Sequence, residues 1–160
     1  LREMRLLIFE LLPPVLQEEG LVAALQARLD LVEARAGLQT ELHVQGEERL
    51  PLAVEEELYR IVQEALNNVL KHAKAKHVVV RLLFSGQEVS LEVQDDGVGF
   101  DLSSASRKGG LGLHSMRERV ERIGGRLQVD SAPARGTTVR AVVRIAGSQP
   151  GEGLEHSEEE

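Results

Sequence analysis

The chain has 160 residues, a net charge of −7 at pH 7, 42% hydrophobic and 2% aromatic residues, and no cysteine. The length fits one domain with a short extra segment, and the absence of cysteine excludes disulfides and thiolate metal sites. The acidic balance argues against binding to a phosphate backbone, and the scarcity of aromatic rings argues against stacking on single-stranded nucleic acid. We therefore expect no nucleic-acid partner. No apolar run reaches the ~20 residues of a membrane span and no signal peptide is evident, so we expect a cytoplasmic protein.

Two amphipathic helical patterns open the chain. The apolar stripe within residues 1–19 is interrupted by Pro13 and Pro14, and it suits a helix bundle, a dimer seam or simple docking onto the domain. The second pattern covers residues 21–36 and ends at Gly37. We interpret residues 1–20 as a helical linker from a longer protein and residues 21–146 as the folded domain. Residues 147–160, acidic and poor in apolar side chains, are expected to form a disordered tail or to be an expression remnant.

The remaining patterns predict an α/β fold, namely a two-layer sandwich whose mixed sheet of about five strands is covered on one face by helices. Strands are expected at 38–44, 77–84, 88–94, 126–130 and 137–145, and helices at 53–73 and 113–123. The second and third strands should form a hairpin. The segment 96–112 is rich in Gly, Ser and basic residues, which is typical of a long loop that serves as a lid or binding loop.

The helix at 53–73 carries a polar stripe that could hold a cation and a polyanion together. The stripe contains Glu57, Arg60, Glu64, Asn68 and Lys71. The opposite side is apolar: Leu58, Ile61, Val62, Ala65, Leu66 and Val69. The alternative interpretation of this stripe is the solvated face of an amphipathic helix.

Strand parity predicts that Asp95 faces the core, because it continues the row of Val89, Leu91 and Val93, whereas Asp96 points the other way. A carboxylate on a buried face must be hydrogen-bonded, and one beside bare backbone suits a flat polar ring with an exocyclic amine, such as adenine. Glycines at 97 and 99 indicate close backbone approach or positive φ. The alternative is an ordinary Asx-turn that ends the strand.

Two further segments could contribute to the same site. The glycine-rich run from Arg107 to Leu113 leads into a helix and could present N–H groups to phosphates, although a flexible linker is the commoner meaning of such glycines. It is not a Walker loop, since no Lys-Ser/Thr pair follows the last glycine. Thr137 has the same strand parity as Val139, Ala141 and Val143, so its hydroxyl is expected to face inward, toward the site. The alternative is that a threonine occurs here simply because it favours β-strands.

In their order along the chain, these segments resemble the ATP-binding catalytic domain of bacterial sensor histidine kinases. That domain belongs to the wider group with gyrase, the Hsp90 chaperones and the mismatch-repair ATPases, and has the Bergerat-type fold. The matching motifs are an N box at 64–73, a G1 box at 95–100, a G2 box at 110–113 and a closing Gly-Thr at 136–137. The sequences of residues 63–68 and 112–119 most resemble the nitrate-sensor-like subfamily. The opening segment also resembles the end of that subfamily's second dimerisation helix.

The resemblance implies a role for each matching residue. Asn68 would ligate the Mg²⁺ that bridges the ATP phosphates, with Glu64 ordering metal-bound water, and Lys71 would neutralise phosphate charge. Asp95 would accept the adenine amine, assisted by Thr137 through water. The glycines of the G1 and G2 boxes would let the lid fold over the nucleotide: Gly97, Gly99, Gly110 and Gly112. The expected cofactor-binding set also includes His72 at the edge of the site, and Lys108, Leu111 and Leu113 in the lid.

The sequence also departs from the family pattern. Lys108 stands where the wider G2 pattern often has its first glycine, and none of the five histidines has the acidic setting of the family's phosphoacceptor. The leading hypothesis is therefore an enzyme fragment that transfers the γ-phosphoryl of Mg·ATP to a histidine on an absent dimerisation domain, for signalling to a response regulator. The parent is expected to be a homodimer, soluble or membrane-bound, and the fragment alone is compatible with a monomer. The rivals are a gyrase-like ATPase with Glu64 as general base, and an anti-sigma or partner-switching protein.

Overall fold

The computed structural model describes residues 12–46, 49–101 and 112–145. The helices are α1 (Pro14–Glu19), α2 (Leu21–Ala36), α3 (Leu52–Asn68), which continues into a π-helix (Val69–Ala73), and α4 (Leu113–Arg122). The strands are β1 (Gln39–Gln45), β2 (His77–Ser85), β3 (Glu88–Asp95), β4 (Gly125–Ser131) and β5 (Thr137–Arg144). Each strand that the sequence predicts lies within about one residue of its expected position, and Gly37 ends α2 in the left-handed conformation. The predicted apolar stripe before the Pro pair lies outside the described residues except for Leu12, as does the predicted tail at 147–160. α1 begins at Pro14, where a fixed φ and a missing N–H are tolerated.

The five strands form one mixed sheet in the order β1-β2-β3-β5-β4. β1 pairs with β2 in parallel, and the other three pairs are antiparallel, including the predicted hairpin of β2 and β3. The pairing register aligns Asp95 of β3 with Thr137 of β5, and Thr137 in turn with Ser131 of β4. Polar side chains therefore meet at one end of three neighbouring strands.

One face of the sheet is covered by helices, and the other carries mostly polar side chains beside the apolar Leu83 and Val142. The six apolar residues predicted for the inner side of α3 are all at most 5% exposed. They pack against inward-facing strand residues such as Val80, Leu91 and Ala141, which belong to the same buried cluster. Burial of a Leu or Ile side chain contributes roughly 1.5–3 kcal/mol, so this face fixes α3 firmly on the sheet. The fold class predicted from the sequence is confirmed.

A buried carboxylate connects the first helices to α3. Glu55, in the first turn of α3, is 2% exposed, and its Oε2 accepts the N–H of Leu21 at 2.8 Å, at the start of α2. Its Oε1 accepts Arg49 Nε at 3.0 Å, and Arg49 also donates to the Gln17 carbonyl. One side chain thereby satisfies an N–H group at the start of α2 that the helix itself leaves without a partner.

The last turn of the long central helix is wider than predicted. The sequence predicts one helix over 53–73, whereas the structure changes from α to π geometry at Val69. The π-helix ends at Ala73, whose carbonyl accepts the N–H of Val98 at 2.7 Å. No helix in the described part of the chain is both long enough and apolar enough to span a bilayer.

Candidate functional site

A cleft lies between the C-terminal end of the central helix and the ends of β3 and β5. Among the residues that the sequence predicts for the site, this cleft brings together Asn68, His72, Asp95, Gly99, Leu113 and Thr137. The rest of its lining is apolar: Ala65, Val69, Ala73, Val93, Phe100 and Val139. The predicted residues Lys108, Gly110 and Leu111 lie outside the described residues.

Asp95 is the only acidic residue in the described lining of this cleft. It is 7% exposed and faces inward, as strand parity predicts. Its Oδ1 accepts the N–H of Gly97 at 2.8 Å, so the Asx-turn of the alternative interpretation is also present. Burial raises the pKa of the Asp95 carboxyl, and the backbone N–H groups of Gly97 and Thr137 oppose that rise. A turn-forming carboxylate thus also forms part of an apolar cleft wall, where it presents hydrogen-bond acceptors.

The neighbouring carboxylate, Asp96, has a structural role. Its Oδ1 accepts the N–H groups of Lys76 and His77 at 2.8 and 2.9 Å, and its Oδ2 lies 2.7 Å from His77 Nδ1. The bonds from His77 lower the pKa of Asp96 to about 2. Asp96 therefore joins the end of β3 to the start of β2 and leaves Asp95 alone at the cleft.

The glycines after Asp95 fit tightly against the protein's own backbone. A Cβ added at Gly97 would overlap the carbonyl of Ala73, and one at Gly99, where φ is +65°, would overlap the carbonyl of Ala132. The sequence predicts close approach or positive φ at these positions, and the structure has both. The close approach is to the last residue of the π-helix at Gly97 and to the turn between β4 and β5 at Gly99, so these glycines allow both to pack directly beside the segment after Asp95.

Ser131 belongs to the site, although the sequence did not single it out. Its hydroxyl lies 2.8 Å from that of Thr137, accepts the N–H of Phe100 at 3.0 Å, and lies 3.1 Å from the Gly136 carbonyl, to which it can donate. Thr137 is thus positioned at the cleft by a partner on the adjacent strand. A strand-pairing argument could have found Ser131, because it lies directly opposite Thr137 in the β4–β5 hairpin.

Glu64 and Lys71 lie on the other side of the central helix from Asp95. Both line a second depression, on the outer surface of α3, whereas Asn68 lines the cleft itself. Gly112, with φ of +61°, precedes α4, and a Cβ there would overlap the Glu64 carboxylate. Gly112 therefore allows the end of the predicted lid segment to lie against Glu64, at the rim between the cleft and the outer depression.

The geometry defines what the cleft can bind. Its apolar walls and the acceptor at Asp95 suit a planar heterocycle that carries a donor amine, because flat apolar contact and one directed hydrogen bond together fix its orientation. Oxygen ligands for a hard cation are available from Asn68 and Glu64 at the rim, and Lys71 adds positive charge. The described residues include no group of three His, Cys, Asp or Glu side chains that could hold a metal ion. A cation at this rim would therefore need further oxygen ligands from a bound molecule or water.

Comparison with known proteins agrees with this geometry. Residues 53–147 match the family model described as histidine kinase-, DNA gyrase B- and HSP90-like ATPase. The matched region contains every element that contributes to the cleft.

The chain is also similar to named proteins. It is 40% identical over 152 residues to an uncharacterised sensor-like histidine kinase of Chloroflexus aurantiacus, covering 89% of this chain and 25% of that protein. It is 37% identical over 150 residues to the sensor histidine kinase LiaS of Bacillus subtilis, covering 94% of this chain and 41% of that protein. The chain therefore spans less than half the length of these two relatives.

Among solved structures, the chain resembles the histidine kinase domain of the blue-light activated histidine kinase of Erythrobacter litoralis EL346. The TM-score is 0.63 at 25% sequence identity, covering 78% of this chain and 61% of that one.

Proposed function

The chain belongs to the family of histidine kinase-, DNA gyrase B- and HSP90-like ATPases, and from that premise we propose that it is the ATP-binding catalytic domain of a sensor histidine kinase. In this proposal the domain binds Mg·ATP in the cleft described above. It transfers the γ-phosphoryl group to a histidine nitrogen of another domain: an N–P bond forms, the bond to the β-phosphate oxygen breaks, and ADP leaves. The phosphohistidine then supplies a response regulator.

The observation that carries the proposal is the buried carboxylate of Asp95 in an otherwise largely apolar cleft. Adenine offers an amine donor on a flat ring, and Asp95 offers an acceptor at the cleft wall. Thr137, held by Ser131, supplies a hydroxyl beside the same carboxylate and would assist through a water molecule. His72 and Leu113 line the cleft and would contact the nucleotide at its edge.

Magnesium fits the oxygen donors on the central helix. Asn68 would be a direct ligand and Glu64 would order metal-bound water, and the remaining ligands would come from phosphate oxygens and water, as is usual for Mg²⁺. When bound, the ion would neutralise charge that develops during phosphoryl transfer. Lys71 would contribute a further positive charge from the outer side of the helix, and the lid residues Lys108, Gly110 and Leu111 would cover the phosphates.

The acceptor histidine is proposed to lie on a different domain. His43, His77 and His114 each lie beside a carboxylate on the exposed surface, at 3.0, 2.7 and 3.0 Å from Glu41, Asp96 and Glu118. His72 lines the nucleotide cleft, and His156 lies outside the described residues. We propose that residues 1–20 connect to a dimerisation domain that carries the acceptor, that residues 21–146 form the kinase domain, and that the parent protein is a homodimer.

Two rival functions predict different products from the same assay. The chain is incubated with Mg·ATP and the histidine-bearing domain of the parent protein, supplied as a separate polypeptide. Acid-labile phosphohistidine on that domain is the expected result. Release of free phosphate without phosphohistidine would favour an ATPase with Glu64 as general base, and nucleotide binding without either product would favour a partner-switching protein.

The proposal that Asn68 ligates Mg²⁺ can be tested separately. Asn68→Ala is expected to leave the affinity for ATP in EDTA unchanged within about twofold and to remove most of the gain that Mg²⁺ provides, measured by calorimetric titration with and without the metal. Asn67→Ala is the matched control, because Asn67 lines the outer depression and not the cleft. An equal loss of affinity in the absence of metal would contradict the assignment.

A further inference from the structure

Ser131, at the end of β4, makes three polar contacts beside the cleft, although it is not among the described residues that line it. Its Oγ accepts the N–H of Phe100 at 3.0 Å, and it lies 3.1 Å from the carbonyl oxygen of Gly136 and 2.8 Å from Oγ1 of Thr137. Phe100 and Thr137 both line the cleft. A side chain behind the cleft wall therefore holds two residues of that wall.

The three contacts of Ser131 are all hydrogen bonds in one arrangement only. A serine hydroxyl has one hydrogen to donate and two lone pairs that accept. The N–H of Phe100 can only donate, and the carbonyl of Gly136 can only accept, so the single hydrogen of Ser131 is directed at Gly136. The contact with Thr137 is then a hydrogen bond only if the Thr137 hydroxyl donates to the second lone pair of Ser131.

This arrangement decides what Thr137 offers to a ligand. Because its hydrogen is directed at Ser131, the Thr137 hydroxyl presents only lone pairs to the cleft. Asp95, which is paired with Thr137 across β3 and β5, also presents acceptors there. The side chains of Asp95 and Thr137 therefore form an acceptor wall, which accepts hydrogen bonds from a ligand and donates none.

An acceptor wall distinguishes two purines of the same size. Adenine has an amine that would donate to Asp95, and its neighbouring ring nitrogen would accept from a water molecule that also donates to Thr137. Hypoxanthine has a carbonyl and a ring N–H at the same two positions, so the hydrogen-bonding character of both groups is reversed. A buried acceptor that faces another acceptor is left without a partner, and polar sites reject close analogues in this way.

We propose that Ser131 is a positioning residue for base selection: by accepting the Thr137 hydrogen it keeps the acceptor wall free of donors, and so favours an amino-purine nucleotide over an oxo-purine one. The inference rests on the proposed nucleotide-binding function. Without the Ser131 hydroxyl, the Thr137 hydroxyl can turn and donate to a carbonyl in the cleft. Ser131 thus acts through Thr137 and makes no contact with the nucleotide.

The test compares the affinities for ATP and ITP, which share the ribose, the triphosphate and the metal and differ only at the base edge. We expect wild type to prefer ATP, and Ser131→Ala to narrow the ratio of the two affinities about fivefold, the effect of one hydrogen bond, in calorimetric titrations with Mg²⁺. Ser131→Thr retains the hydroxyl and should keep the wild-type ratio. Ser131→Cys fills nearly the same space with a weak donor and acceptor, so it should narrow the ratio and guards against a packing defect in the alanine variant.

Ser90→Ala is the matched control. Ser90 is also a half-buried serine on a strand, but it lies on the face of the sheet that the helices leave uncovered, where its hydroxyl accepts Arg140 Nε at 3.4 Å. This variant should leave both affinities within about twofold of wild type. If Ser131 were merely structural, Ser131→Ala would weaken ATP and ITP binding in parallel, and the unchanged ratio would overturn the inference.

The remaining outcomes separate this inference from the proposed function. Equal affinity of the wild type for ATP and ITP overturns the inference and leaves nucleotide binding intact. If the wild type binds neither nucleotide, the proposed function fails, and NMR of the Thr137 hydroxyl hydrogen then decides the inference. A signal that is protected from exchange, shows a nuclear Overhauser contact to Ser131 and is lost in Ser131→Ala supports it, whereas rapid exchange in the wild type overturns it.

Discussion

Glu55 and Asp95 are both carboxylates buried in the folded protein, yet they serve opposite purposes. Glu55 is 2% exposed, and groups of the protein engage both of its oxygens: the Leu21 N–H and the Arg49 guanidinium. Asp95 is 7% exposed, accepts the Gly97 N–H in a turn with the Thr137 N–H also directed at its carboxylate, and lines a cleft. Burial of an acid alone therefore does not identify a binding site. What distinguishes the two is the surroundings: Glu55 closes a contact between helices, and Asp95 faces space that a ligand can enter.

Asp95→Asn gives the largest expected effect. The substitution replaces a pure acceptor with a group that also presents a donor toward the adenine amine, so ATP affinity should fall on the order of 100-fold, or ~2.7 kcal/mol. Isothermal titration with a non-hydrolysable analogue measures this. Retention of wild-type affinity would remove Asp95 from the site.

Asp95→Asn should not lower stability at pH 7. Burial raises the pKa of Asp95, and a carboxyl whose pKa is higher in the folded than in the unfolded state destabilises the fold once it is ionised. Asparagine removes that cost and can still accept the Gly97 N–H. We expect an unchanged or higher free energy of unfolding in urea titrations, and a marked loss would mean that Asp95 is chiefly structural.

Two glycine variants test how tightly the loop after Asp95 is packed. Gly99 and Gly86 have φ of +65° and +57°, but only at Gly99 would a Cβ meet another part of the backbone. Gly86→Ala should lower the free energy of unfolding by about 1–2 kcal/mol, because alanine disfavours positive φ. Gly99→Ala should lower it by roughly 1–3 kcal/mol more, because the added Cβ also overlaps the Ala132 carbonyl. Only Gly99→Ala should also weaken ATP binding. Equal effects of the two substitutions would contradict the packing argument.

Glu55→Gln is the counterpart of Asp95→Asn. Because one of the two engaged oxygens becomes an amide nitrogen, the free energy of unfolding should fall by about 1–2 kcal/mol, seen as a lower urea midpoint at an unchanged slope. ATP affinity should stay within about twofold of wild type. A large loss of affinity in folded protein would show that Glu55 influences the cleft from a distance.

Asp96→Asn has the smallest expected effect, a pH-dependent change in the free energy of unfolding. Its pKa is lowered to about 2, so the stability it contributes is present above its unfolded pKa of about 3.9 and is lost as the pH falls toward the folded value. The group is exposed, and solvent screens much of this contribution. Asp96→Asn should therefore be slightly less stable than wild type at neutral pH and converge with it in acid, as measured by urea unfolding at both pH values. A difference that stays constant with pH would contradict the role of its carboxylate.

Much of the fold and part of the site follow from the sequence. Period-two alternation in β3 predicted the inward position of Asp95, because side chains on a strand alternate between faces. The apolar side of α3 was predicted in the same way from its helical period. Glu55 was not predicted, because its partner Leu21 is distant in sequence and lies on another helix. Ser131 was missed although it lies opposite Thr137 in the β4–β5 hairpin; only its bond to the Phe100 N–H depends on a partner distant in sequence.

The outer depression was also beyond prediction from the sequence. The polar stripe of the central helix was visible, but its division into a cleft side with Asn68 and an outer side with Glu64 and Lys71 depends on how the neighbouring helices pack. Arg28 and Arg35 of α2 have the spacing of an ordinary solvated face. Their position in the same depression as Arg119 is a property of the tertiary structure.

The π-helix at Val69–Ala73 gives this site an unusual sensitivity to chain length. A π-helical hydrogen bond joins residues i and i+5 and therefore spans one residue more than an α-helical one, and the carbonyl of Ala73, the last residue of this segment, accepts the Val98 N–H. We expect that deleting a single residue from 69–73 would restore α geometry and move that carbonyl, so the segment after Asp95 would lose one of the hydrogen bonds that hold it without any change in its own sequence. Natural variation should accordingly replace side chains along this turn far more readily than it inserts or removes a residue.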